Sequence, residues 1–237
     1  MTPLYHDFEG ETVVVFGGGT VGARKAAGFA DAARVVVVSP RFDERLRELV
    51  AGGSAGEPLD EAAGESERQA ARTVRLVRAA PDPNAVGGWI DRVEPALAVA
   101  ATDDAAVNAA VEAAALDRGL LVNRTDVSGG RDPRSVVVPA TVDDEPVTVA
   151  LSTGGTSPAL ARALRERVEA EIDGAGAMAE LSGSLREELK SEGVAPERRR
   201  EAVRRVVRSP GVWKALQKGR SNGRDEAEAV IEEVLDR

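Results

Sequence analysis

Short apolar runs alternate with helical stretches through the first half of the chain. The run Thr12–Phe16 is continuous and rich in β-branched residues, which is typical of a strand buried on both faces of a parallel sheet. The same alternation predicts further strands at Arg34–Val38, Thr73–Val77, Ala96–Ala101 and Leu120–Asn123, and helices at Val21–Ala32, Asp43–Ala51, Asn84–Val93 and Asp104–Arg118. Residues 52–71 are acidic and poorly periodic, which predicts a loop with helical pieces. This order predicts an α/β fold built on a doubly wound parallel sheet.

The pattern changes after Asp126. Ser135–Val142 and Val147–Ser152 are predicted to be two strands of a hairpin that turns at residues 143–146. From Ser157 onward the periodicity is almost entirely helical. The second half is therefore expected to differ in architecture from the first.

A glycine-rich loop follows the first predicted strand and opens a predicted helix, which is the context that a dinucleotide-binding G-x-G-x-x-G motif requires. The first glycine permits a tight turn, the third lets the backbone approach a pyrophosphate, and the last lets helix and strand pack closely. The helix N-terminus favours an anion. The loop therefore predicts an NAD-binding Rossmann fold. The predicted cofactor-binding residues of the loop are Gly17, Gly18, Gly19, Thr20, Val21 and Gly22.

The second predicted strand lacks the expected ribose-binding carboxylate at its end, about 20 residues beyond the loop. Ser39, Pro40 and Arg41 stand there instead. Ser39 can hydrogen-bond the ribose, and we predict it to be a cofactor ligand. Arg41 can meet a 2′-phosphate or be an ordinary surface residue, so the sequence leaves the choice between NAD and NADP open, with NAD as the predicted cofactor.

Polar residues also end the fourth and fifth predicted strands. The carboxyl ends of parallel strands line the ligand crevice, so Thr102 and Asp103 are predicted to bind the cofactor. Asp104 fits better as the cap of the next helix. Asn123 and Asp126 end the fifth strand at the same crevice, and we predict Asn123 to bind substrate. Asp126 is placed to act on a substrate near the nicotinamide, although the spacing alone fits a turn aspartate equally well.

A turn rich in hydroxyl groups and glycine opens the helical region. Pro158 suits a first helical turn, and Thr156 or Ser157 suits the N-cap. The hydroxyl and backbone N–H groups predict a carboxylate or phosphate site, the alternative being an ordinary capped helix start. Arg162 and Arg165 can pair with substrate carboxylates or with glutamates of their own helix. The predicted substrate-binding residues here are Thr153, Gly154, Gly155, Thr156, Ser157 and Arg162.

Composition narrows the chemistry. The 237 residues are 43% hydrophobic and 30% charged, which is typical of a soluble globular protein. No apolar run is long enough to span a membrane and no signal peptide is visible, so the cytoplasm is the predicted location. The chain has no cysteine and one histidine, so no resident metal site is predicted and catalysis must use carboxylates, hydroxyls, arginines or a cofactor. A net charge of −9 argues against nucleic-acid binding.

Three stretches together resemble the precorrin-2 dehydrogenases, the sirohydrochlorin-forming part of siroheme synthases. They contain the combinations GGG-x-V-x-x-RK, AATDD-x-x-VN and STGGTSP-x-LAR, and they cover residues 3–40, 96–126 and 135–169. The resemblance implies a Rossmann domain at residues 1–126, a small β dimerisation segment at 127–153 and a helical domain at 154–237. It also implies a homodimer that oxidises precorrin-2 with NAD to sirohydrochlorin.

The resemblance also assigns roles to individual residues. The key carboxylate of the family falls on Asp126, and the second hydroxyl of its SSGGTSP-like motif falls on Thr153. Arg124 and Thr125 stand where the family has a small apolar pair. Burial would raise the pKa of Asp126 and Arg124 would lower it.

Two alternatives to a simple dehydrogenase remain. Some members of the family also insert iron, so one alternative is a bifunctional dehydrogenase–ferrochelatase that makes siroheme. The other is a non-catalytic NAD-sensing module. Asp126 and the TGGTSP helix start argue against the sensor, which needs neither.

Overall fold

The computed structural model describes residues 2–30, 33–52, 73–127 and 134–236, so most of the predicted loop at residues 52–71 lies outside the described part. The chain divides into two compact units, Met1–Val138 and Pro139–Arg237. The described elements of the first unit are β1 (Thr12–Phe16), α1 (Thr20–Ala27), β2 (Arg34–Ser39), α2 (Glu44–Gly52), β3 (Val74–Arg78), α3 (Val86–Val93), β4 (Leu97–Ala100), α4 (Ala105–Asp117) and β5 (Leu121–Arg124).

The first unit contains a five-stranded parallel sheet in the order β3-β2-β1-β4-β5. The central strand β1 is buried along its whole length, as its continuous β-branched sequence predicts. The strand order reverses between β1 and β4, and such a switch point is where open α/β sheets bind their ligands. The predicted α/β fold is confirmed.

Alternate side chains of the strands form two cores, one on each face of the sheet. On one face, Val14 and Phe16 pack with apolar residues of α3 and α4. On the other face, Val13 and Val15 pack with residues of α1 and α2. Burial of each such side chain contributes about 1.5–3 kcal/mol. Packing on both faces therefore stabilises the sheet and fixes the positions at which the loops after the strands begin.

The chain after residue 133 differs from the prediction of one strand over Ser135–Val142. Ser135 forms a parallel bridge to Val122 of β5, and the Val136 N–H donates to the Val122 carbonyl at 2.7 Å. Pro139, which has no N–H to donate, then interrupts the ladder. The single predicted strand is wrong: its first part extends the edge of the parallel sheet, and only its last part joins the hairpin.

The second unit begins with that hairpin, formed by β6 (Ala140–Asp144) and β7 (Val147–Leu151), which pair antiparallel. The predicted turn between them is confirmed. The predicted boundaries after residues 126 and 153, and the dimerisation role of the segment between them, stay predictions. The described helices of this unit are α5 (Pro158–Glu171), α6 (Ala175–Ser191), α7 (Pro196–Arg208), α8 (Pro210–Leu216) and α9 (Arg220–Leu235).

Helices α6 to α9 share one apolar core that includes Met178, Leu185, Val206 and Ile231. Helix α5 contributes no buried residue to it. None of the helices in the described ranges combines the length and the apolar character needed to cross a bilayer.

Candidate cofactor and active site

The turn from β1 into α1 requires glycine at two positions. Gly17 has a φ of 114°, in the region that favours glycine. A Cβ on Gly17 would overlap the carbonyl oxygen of Ala101, which follows β4, and a Cβ on Gly22 would overlap the carbonyl oxygen of Gly17. These glycines allow β1, the start of α1 and the end of β4 to approach closely, as the motif predicts.

Gly19 differs from both of these glycines. It is the N-cap residue of α1, and a Cβ built on it would meet no described atom within 4 Å. No described side chain caps this helix, although the first N–H groups of a helix have no partner within the helix itself. The loop thus offers both space and backbone donors, which fits the pyrophosphate of a dinucleotide. The exposed Val21 lies in the first turn beside this space.

A carboxylate that the sequence reasoning missed lies beside the loop. The Asp43 N–H donates to the Gly18 carbonyl at 2.7 Å, and the Thr20 hydroxyl donates to the Asp43 carboxylate at 3.2 Å. Ser39 is buried at the end of β2, whereas Arg41 is exposed. A search for the acidic residue by distance from the loop, about 20 residues, instead of by the end of the strand would have found Asp43.

The residues that follow β4 play separate parts. The Asp104 carboxylate accepts hydrogen bonds from two backbone N–H groups of α4, at 2.8 and 3.2 Å, so the predicted cap is confirmed. The Thr102 hydroxyl donates to the Asn108 side chain at 2.7 Å, and Asn108 donates back to the Thr102 carbonyl at 3.0 Å. Asp103 is exposed. Contacts of Thr102 and Asp103 with the cofactor stay predictions.

The Asp126 carboxylate is hydrogen-bonded by Arg124. Nε and Nη2 of Arg124 donate to the two carboxylate oxygens of Asp126 at 3.0 and 2.7 Å, and Nη1 donates to Glu112 of α4 at 3.0 Å. The hydrogen bonds from Arg124 lower the pKa of Asp126, burial opposes them, and a hydrogen bond from Asn108 lowers it further. The balance lies below the ordinary value, so Asp126 is ionised at neutral pH.

Asn123 ties two segments of the first unit together. Its side chain is buried, with 3% of its surface exposed, and its amide donates to the Val136 carbonyl at 2.7 Å. Its Oδ1 has no hydrogen-bond partner among the described residues. The amide therefore holds the chain after residue 133 against β5, and the predicted contact with substrate stays a prediction.

The turn before α5 belongs to the second unit, and its hydroxyls are bonded to its own backbone. Ser157 caps α5 and accepts from a backbone N–H at 3.3 Å, as predicted. Thr156 donates to the Thr153 carbonyl at 2.6 Å, and Thr153 donates to the Ser157 carbonyl at 3.2 Å. Gly154 and Gly155 have positive φ, 64° and 80°. These internal hydrogen bonds fit the alternative of an ordinary capped helix start, and binding of a carboxylate or phosphate at this turn stays a prediction.

The two arginines of α5 pair within their own helix. Arg162 lies 3.1 Å from Glu166, and Arg165 lies 3.4 Å from Glu169. The Arg162 side chain is 81% exposed. Exposed pairs at this spacing contribute only about 0.3–0.5 kcal/mol, so an incoming carboxylate can displace the glutamate at little cost.

Comparison with known proteins agrees with this geometry. A family model described as putative NAD(P)-binding matches residues 4–140, more than half of the chain, and one described as sirohaem biosynthesis protein central matches residues 144–171. A siroheme synthase of Stutzerimonas stutzeri is 36% identical over 237 residues, covering 98% of this chain and 44% of the relative. One of Pseudomonas paraeruginosa is 37% identical over 192 residues, covering 79% and 35%. The chain thus spans less than half the length of these relatives.

A solved structure gives an independent view of the fold. SirC, a precorrin-2 dehydrogenase, matches with a TM-score of 0.66 and 21% identity over 100% of both chains. The predicted order of a Rossmann-type sheet, a small β segment and terminal helices is therefore confirmed. By its match over residues 4–140, the chain belongs to the putative NAD(P)-binding family, and the resemblance to siroheme synthases that its motifs indicate is confirmed.

Proposed function

We propose that this chain oxidises precorrin-2 to sirohydrochlorin with NAD as the electron acceptor. The observation that carries the proposal is the pairing of two features in one Rossmann unit. One is the open, uncapped start of α1, and the other is an ionised carboxylate, Asp126, just after β5. Strands of a parallel sheet end at a common edge, where such folds bind their ligands. The likeness to siroheme synthases supports the choice of substrate.

The reaction removes a hydride and a proton from precorrin-2. When bound, the nicotinamide ring supplies the hydride acceptor. The chain must accept the proton, and the absence of cysteine leaves few candidates. The single histidine, His6, is close to the N-terminus and pairs with Glu11 at 2.9 Å. A carboxylate is therefore the proposed base, and Asp126 is the proposed catalytic residue.

The proposed cofactor contacts follow the loops after the strands. The backbone N–H groups of Thr20, Val21 and Gly22 are proposed to bind the pyrophosphate, and Ser39 is proposed to hydrogen-bond the ribose. Asp43 lies about 20 residues beyond the loop, where dinucleotide-binding folds carry the acidic residue that bonds the ribose 2′-hydroxyl, and this spacing supports NAD over NADP. Thr102 and Asp103 are proposed to border the nicotinamide.

The proposed substrate contacts suit a tetrapyrrole that carries many carboxylates. Asn123 is proposed in the first unit. In the second unit, the turn Thr153–Ser157 and the displaceable Arg162 are proposed to bind substrate carboxylates.

We further propose that the chain acts as a homodimer in the cytoplasm. The sheet formed by β6 and β7 has only two strands. The outer edges of a two-stranded sheet leave backbone N–H and C=O groups unpaired, and such edges favour pairing with a symmetric copy. Light scattering at micromolar concentration should give twice the mass of one chain, and the mass of one chain would contradict the dimer.

One assay tests the proposed reaction. Purified chain is incubated anaerobically with precorrin-2 and NAD, and sirohydrochlorin and NADH are followed by absorbance. We expect the two products in equal amounts, at a rate at least about tenfold higher with NAD than with NADP. Unchanged precorrin-2 in the presence of bound NAD would contradict the proposal and favour the NAD-sensing module. A parallel sample with sirohydrochlorin and ferrous iron tests the ferrochelatase alternative.

A further inference from the structure

Three charged side chains form a row across β5 and α4, which we call the Glu112–Arg124–Asp126 row. Arg124 uses one edge of its guanidinium, Nε and Nη2, for Asp126, and its remaining nitrogen, Nη1, for Glu112. The side chains are only 20%, 13% and 26% exposed in chain order. Such a row differs from the exposed pairs of α5, because partial burial limits its screening by water.

The two hydrogen bonds from Arg124 set the orientation of the Asp126 carboxylate as well as its ionised state. A guanidinium that donates two parallel hydrogen bonds to one carboxylate sets both the position and the plane of that carboxylate. Glu112 in turn holds the guanidinium from α4, so the position of Asp126 depends on α4 as well as on β5. An ionised carboxylate has about four acceptor sites, and Arg124 occupies two of them. Asn108 and the Asp126 backbone also interact with this carboxylate, so its position is set from several sides.

We propose that Arg124, anchored by Glu112, is a positioning residue that holds the Asp126 carboxylate in place to receive the proton of the substrate. The proposal rests on the proposed function only in taking Asp126 as the base. It assigns no contact with substrate or cofactor to Arg124 itself.

The charge balance around Asp126 defines what loss of Arg124 would do. The groups that act on Asp126 are Arg124 from β5, Asn108 from α4 and the Asp126 backbone, with Glu112 from α4 acting through Arg124. Without the arginine, Glu112 and Asp126 face each other with no cation between them. Like charges raise the pKa of a carboxylate, so Asp126 would be protonated at higher pH than in the wild-type chain. The variant would also lose the fixed plane of the carboxylate.

The test compares wild type with Arg124→Met, Arg124→Lys and Glu112→Gln. The control is Arg118→Met. Arg118 likewise donates two hydrogen bonds to one aspartate, Asp91, at 2.6 and 2.9 Å. Two readouts are taken: the carboxyl ¹³C NMR titration of Asp126, assigned with Asp126→Asn, and the pH profile of kcat/KM, which reports the free enzyme.

We expect Arg124→Met to move both the Asp126 titration and the acid limb of kcat/KM to higher pH and to lower kcat about tenfold, with KM for NAD within about twofold. Arg124→Lys should have a pH profile close to that of wild type but a lower kcat, because lysine keeps the positive charge and cannot donate two parallel hydrogen bonds to one carboxylate. Glu112→Gln should show a smaller loss of kcat, and Arg118→Met should leave both readouts as in wild type.

Two outcomes would overturn the proposal. One is an Arg124→Met variant that titrates and turns over like wild type. The other is a lower kcat without any movement of the titration or of the acid limb, which would indicate a structural role only. If wild type itself fails to oxidise precorrin-2, the proposed function fails, and the NMR titration still decides whether Arg124 controls Asp126.

Discussion

Helices α1 and α4 begin after neighbouring strands of one sheet, but only the first N–H groups of α4 are capped by a described side chain. At α4 the Asp104 carboxylate accepts hydrogen bonds from two of these groups. At α1 the N-cap residue is Gly19, and no described side chain caps the helix. The comparison shows how one architecture yields a closed helix start and an open one: the open start lacks the side chain that would occupy the anion site.

The same comparison separates glycines that the fold requires from one that it does not. Side chains at Gly17 and Gly22 would overlap the backbone. Gly19 has a φ of −77° and open space around its Cβ position, so other residues fit there. Substitution of Gly19 can therefore change ligand binding while the fold is retained.

The largest expected effect comes from making α1 resemble α4. Gly19→Asp should lower the affinity for NAD by about 100-fold or more, because a carboxylate caps the helix and repels the pyrophosphate. Its free energy of unfolding should stay equal to wild type or rise by about a few tenths of a kcal/mol. Calorimetry with NAD measures the affinity.

A matched control is available on α3. Gly88→Asp also adds a carboxylate where a Cβ would meet no described atom, but it lies away from the glycine loop in the sequence. It should bind NAD as wild type does. Wild-type affinity in Gly19→Asp would refute the assignment of the loop.

The second effect separates the base from the cofactor site. Asp126→Asn keeps the size of the side chain but removes the proton acceptor. We expect kcat to fall on the order of 100-fold, the lower end for loss of a general base, with NAD affinity within about twofold of wild type. Single-turnover kinetics with precorrin-2 and calorimetry with NAD measure the two quantities. Normal turnover in this variant would remove Asp126 from the mechanism.

The smallest effect concerns the aspartates after β4. Asp104→Ala should cost about 1 kcal/mol of stability, because it removes the cap of α4, and it should keep its activity. Asp103→Ala should keep its stability and weaken NAD binding. Denaturant unfolding and calorimetry on both variants measure the contrast. An Asp104→Ala variant that keeps its stability but loses its activity would mean that the roles of helix cap and cofactor contact are assigned to the wrong aspartates.

The sequence predicted the first unit well because its elements obey local rules. Continuous β-branched runs such as Thr12–Phe16 allow little except buried strands, and Asp104 caps α4 where its spacing predicts it. The strand over Ser135–Val142 failed because pairing of Ser135 with β5 is a tertiary choice. Pro139 was the local signal that marked the interruption.

The sequence places Asp126 just beyond the fifth strand, and its catalytic role stays a prediction. The sequence left open whether burial or Arg124 controls the pKa of Asp126, and the hydrogen bonds from Arg124 lower it. The position of Glu112 decides how firmly Arg124 is held, and that depends on the packing of α4 beside β5. Asp43 was missed because it lies past the end of β2, where the turn back toward Gly18 brings it to the loop.

The most direct test of the cofactor assignment observes both helix starts in one experiment. Backbone ¹H–¹⁵N NMR spectra of the wild-type chain are recorded with and without NAD. The amides of Thr20, Val21 and Gly22 should shift strongly on binding, and those of Ala106 and Val107, whose N–H groups are bonded to Asp104, should shift far less. If saturating NAD left the chemical shifts of the α1 amides unchanged, or changed those of the α4 amides instead, the result would contradict the account.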